Sequence, residues 1–380
     1  MKKNNFKRII GKIHLLLGLS SGLIVFIIAI TGCFYAFQEE IQNITEEYRF
    51  VSKEEKPFLP PSQLEAIARK ELPGKVLHAI QYHGAEESVE AIFYQHDPFY
   101  HFVSYLNPYS GEVLATVNME EGFFRFILDG HFYLWLPHKI GQTVVATATL
   151  LFVIMLISGL ILWYPRNKNA RKQRFSFKWK KSTKWKRKNY DLHAVTGFYV
   201  FLLALVFAIT GLVWGFNWFA YSYYKVLGGE KSLVYQDPIL NKSKLTVEKP
   251  IDKVWVIMKT KYPQAKSIEI HPPETDTTAI ATNANPDQGT YWKTNYHYYD
   301  PYTLEEIEVD HIYGKLANAG IPDTLMRMNY DIHTGAIIGF PGKVVAFLIS
   351  LFIASLPLTG FYIWWGRKKK KEPTTVLEES

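Results

Sequence analysis

Residues 13–37 read IHLLLGLSSGLIVFIIAITGCFYAF, and residues 192–216 read LHAVTGFYVFLLALVFAITGLVWGF. Each stretch has 25 residues and contains no Asp, Glu, Lys or Arg. As an α-helix each would be about 37 Å long, which exceeds the ~30 Å hydrocarbon core of a bilayer. A soluble core helix rarely stays apolar on every face for so long. Both stretches therefore predict membrane-spanning helices.

Two further apolar runs, at residues 142–164 and 343–365, have a similar length and character. The mean hydropathy of -0.06 hides all four runs because long polar segments separate them. The predicted segments are an N-terminus at 1–12, spans at 13–37, 141–165, 191–218 and 341–366, outer segments at 38–140 and 219–340, a basic linker at 166–190 and a tail at 367–380.

The net charge of +8 is concentrated at the predicted membrane edges. Residues 166–188 contain twelve Lys or Arg and no acid, whereas 38–140 has 8 basic and 16 acidic residues and 219–340 has 12 and 15. By the positive-inside rule, both termini and the linker are cytoplasmic and the two long segments lie outside. Basic patches also occur in nucleic-acid-binding proteins. Their position here favours membrane lipid and predicts no nucleic-acid partner.

The single cysteine, Cys33, excludes a disulfide framework and a cysteine-based metal site. Without a C-x-x-C-H motif, any haem would be bound non-covalently. Residues 30–33 resemble a lipoprotein cleavage site, but the apolar run is long for a signal peptide. Thr210-Gly211 stands at the matching place of the third span, so the Thr-Gly pair belongs to a repeat.

An internal repeat relates the first span to the third. His14-x-x-x-Gly corresponds to His193-x-x-x-Gly, and Ala-Ile-Thr-Gly follows at 29–32 and 208–211, with a constant offset of 179. The second and fourth spans match at an offset of 201–202, with His131 before one and His333 before the other, and Ser158-Gly159 corresponding to Thr359-Gly360. Two spans per repeat preserve orientation, which predicts a bundle with pseudo-two-fold symmetry about the membrane normal.

The two outer segments repeat a second pattern. Helical patterns at 63–71 and 251–261 each end before a Leu-Pro or Tyr-Pro step, and Pro61-Ser62 is expected to cap the first. Alternating runs then predict strands, including 89–94, 102–106, 278–281 and 295–299. Asn-Pro-Tyr at 107–109 and Asp-Pro-Tyr at 300–302 predict hairpin turns. Each segment is therefore expected to form a small α+β domain.

With these motifs, the chain resembles the PepSY-associated transmembrane family over nearly its whole length. The resemblance rests on Ile-His-x-x-x-Gly opening a span, Thr-Gly closing it, the Asn/Asp-Pro-Tyr turn, and Gly-x-x-x-Trp ending the next span. One departure is Leu304, which stands where the first segment has the turn glycine Gly111.

The resemblance implies a membrane α-helical bundle of four transmembrane helices with two-fold internal duplication and two extracytoplasmic α+β PepSY-like domains. It also implies a multi-pass protein of the bacterial cytoplasmic (inner) membrane with both termini in the cytoplasm. Some members of the family are inner-membrane reductases of ferric siderophores that bind haem b.

Four of the 12 histidines stand out by their placement. His14 and His193 lie at the cytoplasmic ends of two spans, and His131 and His333 precede the other two spans on the outer side. Neutral imidazole is a good iron ligand, and two facing imidazoles complete a six-coordinate b-type haem. We therefore predict these four as axial ligands of two haem b groups. The alternative is that the small residues on the same sides of these helices, such as Gly18 and Gly197, serve helix packing and the histidines are polar anchors.

His138 is a rival outer ligand because it is nearer the membrane than His131, although no histidine stands at its matching position. The other histidines are expected to be solvated surface residues; they are His78, His83, His96, His101, His271, His297 and His311. An alternative reading gives His96 and His101, which flank Asp97, a transient contact with iron or substrate.

Three classes of function compete. The leading one is reduction of ferric chelates such as siderophores on the outer side, with electrons from a quinol or a separate reductase, because no nucleotide-binding G-x-G-x-x-G or P-loop motif is present. The alternative is a non-enzymatic PepSY-type membrane binding or regulatory protein, since PepSY-type domains also occur in protease inhibitors and propeptides. A transporter subunit ranks lowest because the span centres are nearly free of ionisable residues. The absence of H-E-x-x-H and G-x-S-x-G motifs argues against a protease or lipase.

Overall fold

The computed structural model describes residues 2–165, 174–241, 247–287 and 289–368. Residues 166–173 of the predicted linker and 369–380 of the predicted tail lie outside the described residues. The chain divides into two compact units. The helical unit comprises Met1–Phe37, Phe126–Ala220 and Ile332–Ser380, and the sheet unit comprises Gln38–Arg125 and Tyr221–Asp331.

The described residues form helices and strands in the following order. The helices are α1 (Lys2–Tyr35), α2 (Gln38–Thr45), α3 (Pro61–Glu71), α4 (Phe123–Tyr133), α5 (His138–Trp163), α6 (Trp185–Gly215), α7 (Asn217–Val226), α8 (Pro250–Lys261), α9 (Ile321–Arg327), α10 (Asn329–Thr334) and α11 (Phe340–Lys368). The strands are β1 (Leu77–Tyr82), β2 (Val89–His96), β3 (Phe99–Leu106), β4 (Val113–Asn118), β5 (Ser267–His271), β6 (Ile280–Asn285), β7 (Asn295–Tyr299) and β8 (Glu306–Ile307).

Within the described ranges, four helices are long and apolar enough to cross a membrane: α1, α5, α6 and α11. They correspond to the four predicted spans. Their bounds differ, since α1 begins at Lys2 rather than at residue 13 and α6 begins at Trp185 rather than at residue 191. Lys and Arg are good helix formers, so the backbone hydrogen bonding continues beyond the apolar run that defined each prediction.

The four long helices form a ring. α1 packs along α5 and α11, and α6 packs along the same two helices, so α1 and α6 face each other across the bundle. Small side chains occupy the interior: Ala29, Ala204, Ala208 and Ala354 are all at most 7% exposed. Small residues let helix backbones approach closely inside a membrane. The two helices that carry His14 and His193 are therefore opposite one another.

The sheet unit contains an eight-stranded antiparallel sheet in the order β4-β3-β2-β1-β5-β6-β7-β8. β1 pairs with β5, and Ile80 lies opposite Ile270 at the centre. The expectation of two separate outer domains therefore differs from the structure, in which one sheet takes four strands from each outer segment. Strands so distant in sequence pair without a local turn signal, so nothing in the sequence pattern indicated this junction.

Helices α3 and α8 pack against one face of the sheet. Their predicted positions, 63–71 and 251–261, agree with the structure within two residues. Tyr82 of β1 stacks on Trp255 of α8 with ring centroids 4.7 Å apart. This contact crosses the boundary between the two outer segments and joins them into one hydrophobic core.

The start of α3 differs from its prediction. Pro60 occupies the N-cap position without a side-chain cap, and Pro61 is the first helical residue. The backbone N–H and hydroxyl of Ser62 instead donate to Asp252 of α8, at 2.8 and 2.6 Å. Ser62 therefore links the two helices rather than capping its own.

Both predicted hairpin turns are present. Asn107 Oδ1 accepts hydrogen bonds from the backbone of the second and third residues after it, at 2.8 and 3.2 Å. Asp300 Oδ1 does the same at 2.7 and 3.2 Å. Gly111 has φ 76° and Leu304 has φ 62°, so a leucine takes the left-handed conformation that glycine takes in the other turn.

Candidate functional site

His14 of α1 and His193 of α6 meet inside the helical unit. Their ring centroids are 6.3 Å apart and their planes are inclined by 78°. Because α1 and α6 face each other across the ring of helices, the two side chains point toward the bundle interior. The structure thus brings this predicted pair together.

His131 and His333 form a second pair. They lie on the short helices α4 and α10, which precede α5 and α11. Their ring centroids are 6.2 Å apart and their planes are inclined by 70°. The geometry therefore closely matches that of the His14–His193 pair.

Each of the four rings packs against a hydroxyl residue followed by a glycine on a long helix. We call these two-residue elements hydroxyl–glycine dyads; they are Thr31-Gly32 on α1, Ser158-Gly159 on α5, Thr210-Gly211 on α6 and Thr359-Gly360 on α11. A Cβ atom on the four glycines would lie 3.2, 3.3, 3.4 and 3.3 Å, respectively, from Cε1 of a histidine ring. Glycine is therefore the residue that lets each ring approach its helix.

The hydroxyl group of each dyad is hydrogen-bonded to Nδ1 of its histidine. The distances are 2.9 Å for His14 to Ser158, 3.0 Å for His193 to Thr359, 3.2 Å for His131 to Thr31 and 2.9 Å for His333 to Thr210. Four histidines on four different helices thus share one hydrogen-bonding arrangement.

The hydrogen-bond network assigns the proton of each ring. Every dyad hydroxyl donates to the backbone carbonyl three residues before it, at 3.0 or 3.1 Å, and so is left to accept from the histidine. The same carbonyls also accept from the rings; for His131, Nδ1 lies 2.9 Å from the Ile28 oxygen. Since a carbonyl only accepts, Nδ1 carries the hydrogen. Nε2 is therefore the nitrogen with a free lone pair.

Burial keeps the second pair neutral. Desolvation lowers the pKa of His131, and desolvation followed by the proximity of His131 lowers the pKa of His333 to about 3. Both rings are therefore unprotonated at Nε2 at neutral pH, which is the state in which imidazole binds a metal.

Two such rings suit a single metal atom held between them. An imidazole nitrogen binds a transition metal at about 2.0 Å, so two imidazoles on opposite sides of one metal place their centroids about 6 Å apart. Both pairs meet this distance. In the described part of the chain, no group of three or more His, Cys, Asp or Glu side chains is placed to hold a metal ion. A metal held by a pair would need its remaining ligands from a macrocycle or another molecule.

His138 does not join either pair. It is the first residue of α5, it is exposed, and its ring packs on Tyr133 with centroids 4.3 Å apart. The structure places this rival candidate on the surface of the helical unit.

Two histidines of the sheet unit differ from the expectation of solvated surface residues. His297 is 1% exposed, with Nε2 2.7 Å from the Tyr262 hydroxyl and Nδ1 2.5 Å from Glu306. His311 is 6% exposed and is bonded to the Gln236 carbonyl. Both satisfy their ring nitrogens within the protein, so the expectation is wrong for these two.

The remaining histidines of the sheet unit are more accessible. His78 and His271 come from neighbouring strands, with ring centroids 4.8 Å apart. His96 is exposed at the end of β2, whereas His101 packs against Tyr94.

The dyad hydroxyls are histidine partners that the sequence did not predict. In the sequence, the Thr-Gly and Ser-Gly steps mark the internal repeat, and glycines among them also suggest close helix packing; neither observation indicates that the hydroxyl bonds a histidine. The available signal was a hydroxyl directly before the glycine in all four spans.

The fold defines a multi-pass membrane protein whose described residues form a bundle of four long helices and, in a second unit, an antiparallel sheet. The chain belongs to the family described as PepSY-associated TM region, whose profile matches residues 12–367. A search of curated proteins finds no match.

Proposed function

We propose that this protein is a haem-b oxidoreductase of a bacterial cytoplasmic membrane, which passes electrons across the bilayer to reduce ferric chelates such as siderophores. The observation that carries the proposal is the pair of facing imidazoles, found twice, in which each Nδ1–H donates to a hydroxyl and each Nε2 keeps a free lone pair.

The donor set fits haem b in particular. Each histidine pair would hold the iron of one haem b through its two Nε2 atoms, and the macrocycle would supply the remaining nitrogen ligands. A metal-binding histidine usually donates its other ring N–H to a hydrogen-bond acceptor, and the dyad hydroxyl is that acceptor here. Haem b, when bound, supplies a reversible one-electron couple. The protein holds and orients the ligands and keeps them in an apolar bundle.

The spacing of the two pairs supports a path across the membrane. Thr31 follows His14 by 17 residues on α1, and Thr210 follows His193 by 17 residues on α6. At about 1.5 Å per residue this separates the two levels by roughly 26 Å along the bundle, close to the ~30 Å hydrocarbon thickness.

The charge distribution gives the direction. The basic residues at the N-terminus and before α6 favour the cytoplasmic side, which puts His14 and His193 near the cytoplasm. Electrons enter there from a quinol or a separate reductase. Each ferric ion outside accepts one electron and leaves its chelate as the more weakly held ferrous ion.

The proposal also includes an internal duplication of the chain, with one half of the sheet unit in each copy. The offset of 179 between α1 and α6 and the symmetric strand order about β1 and β5 support an internal duplication. Ile80 and Ile270, which pair at the sheet centre, are 190 residues apart, as are Pro73 and Pro263 after the two sheet-packing helices. We assign the sheet unit to two PepSY-like halves that share one sheet and face the chelate.

An absorption spectrum tests the proposal. Protein purified from cells supplied with haem is expected to show a Soret band and two haems per chain. His14→Ala and His131→Ala are each expected to remove one haem, and His138→Ala, the matched control, none. A protein without a Soret band would instead favour the non-enzymatic binding or regulatory alternative.

A further inference from the structure

We infer that the four hydroxyl–glycine dyads are positioning elements, which hold the two imidazoles of each centre with their planes nearly perpendicular. The inference rests on the proposed function, because it concerns histidines that bind haem iron. Its subject is the rotation of each ring about its own Cβ–Cγ bond, which the presence of the histidines alone does not determine.

Two contacts fix the rotation of each ring. For His193, Nδ1 is bonded to the Thr359 hydroxyl at 3.0 Å, and Cε1 lies where a Cβ on Gly360 would be only 3.3 Å away. The hydrogen bond at Nδ1 and the contact of Cε1 with the glycine leave the imidazole ring little freedom to rotate. The other three rings have the same two contacts.

The hydroxyl is itself held in place. Thr359 Oγ1 donates to the carbonyls of Ser355 and Leu356, at 2.9 and 3.1 Å. Threonine also has a stiff χ1 because of its branched Cβ. The acceptor offered to His193 therefore has a fixed position, set by the backbone of α11.

The two histidine pairs have similar angles between their ring planes. The planes of His14 and His193 are inclined by 78°, and those of His131 and His333 by 70°. Each centre takes one ring from each half of the chain. The way the two halves pack together therefore sets the angle between the two imidazole planes.

The angle has a spectroscopic consequence. Parallel axial imidazoles separate the energies of two iron d orbitals in low-spin ferric haem, whereas perpendicular ones leave them nearly equal. Nearly equal orbitals give an electron paramagnetic resonance spectrum with one large low-field signal. Unequal ones give the ordinary three-line rhombic spectrum. Both centres are expected to give the large low-field signal.

The hydroxyl also affects the reduction potential. Accepting a hydrogen bond from Nδ1 makes the imidazole more basic, which favours ferric over ferrous iron. Removal of the hydroxyl is expected to raise the potential of that centre alone. The effect is partial because the backbone carbonyl remains, so we expect roughly a threefold change in the oxidised-to-reduced ratio, where tenfold corresponds to 59 mV.

The experiment compares Thr359→Val with Thr359→Ser in the full-length purified protein. Valine keeps the shape and loses the hydroxyl, whereas serine keeps the hydroxyl. The matched control is Thr149→Val, because the Thr149 hydroxyl donates to the Val145 carbonyl of its own helix and contacts no histidine. The readouts are the resonance spectrum of the ferric protein and a potentiometric titration of both haems.

The inference is supported if wild type gives large low-field signals, and if Thr359→Val alone shifts one centre toward the rhombic spectrum and raises its potential. Rhombic wild-type spectra, or a valine variant that matches wild type, would overturn it while leaving the haem proposal intact. Absence of haem defeats the proposed function. The histidine ¹⁵N shifts of the haem-free protein then judge the dyads separately. The Leu356 carbonyl keeps the hydrogen on Nδ1 of His193 in every variant, but the Nδ1 resonance should move in the valine variant and stay in place in the serine variant. An unmoved resonance in the valine variant would overturn the inference.

Discussion

Each histidine is supported by a hydroxyl from its own half of the chain, but its partner ring comes from the other half. Ser158 supports His14, and Thr359 supports His193. Each half of the chain therefore supplies both members of its own histidine–hydroxyl contacts. One iron held by each histidine pair would join the two halves of the chain, at two levels of the bundle.

Gly360→Ala tests the close approach of the ring to its helix. The new Cβ would lie 3.3 Å from Cε1 of His193 and 3.7 Å from its Nδ1, so the ring must shift by a few tenths of an ångström away from its hydrogen-bonded position. Alanine is favoured over glycine in a helix by about 1 kcal/mol, so α11 itself is not weakened. We expect loss of one haem per chain, measured as the haem-to-protein ratio.

The control for this change is Gly11→Ala on α1. Its Cβ would meet only Leu162, at an ordinary 3.8 Å. Gly11→Ala is expected to keep both haems. If Gly360→Ala also kept both, the tight packing of ring against glycine would have no part in binding.

At the scale of elements, two glycines with a left-handed backbone, Gly111 and Gly74, can be compared within one chain. Gly111 has φ 76°, and a Cβ there would also collide with the side chain of Ile67 on α3. Gly74 has φ 80°, but a Cβ there meets nothing within 4 Å. A left-handed backbone costs a non-glycine residue about 1–2 kcal/mol.

Gly111→Ala is therefore expected to destabilise the protein by more than Gly74→Ala, which carries the backbone cost alone. The measurement is the thermal unfolding midpoint of the two variants in the same detergent. Equal midpoints would mean that the Ile67 side chain moves aside without cost. Leu304 already accepts the left-handed strain, and its side chain packs against the sheet core, which offsets that cost.

The elements differ in how far the sequence could predict them. The spans were predictable because a bilayer demands a long, continuous apolar run. Their ends were not, since α1 continues through basic residues that leave the apolar pattern. The Asn107 and Asp300 turns were predictable because their hydrogen bonds are local. The role of Ser62 was not, because its partner Asp252 is 190 residues away.

At the scale of the whole molecule, the site could be predicted only in part. Repetition at a constant offset singled out His14 and His193, because two copies related by symmetry face each other. It could not reveal the proton on Nδ1 or the plane of each ring. Those depend on Ser158 and Thr359, which reach the rings from other helices only after the bundle has formed. Likewise, the joining of both outer segments in one sheet depends on a non-local strand pair.

The proposed electron transfer across the membrane would require both haem centres at once, and this gives a test on the intact protein. In vesicles with a reduced donor trapped inside and a ferric chelate outside, wild type is expected to produce ferrous iron outside. His193→Ala and His333→Ala each remove one level of the path, so each should fall to the rate of protein-free vesicles. His138→Ala should match wild type, because His138 lies apart from both pairs.

Retention of the other haem separates this outcome from simple misfolding of the variant. Each variant should retain one haem, and a reductant added on both sides should reduce it, since its own pair is intact. A variant that keeps one haem and still moves electrons across the bilayer at the wild-type rate would contradict the two-centre path. Direct reduction by a single centre would then account for the activity, and the roughly 26 Å between the two levels would have no functional role.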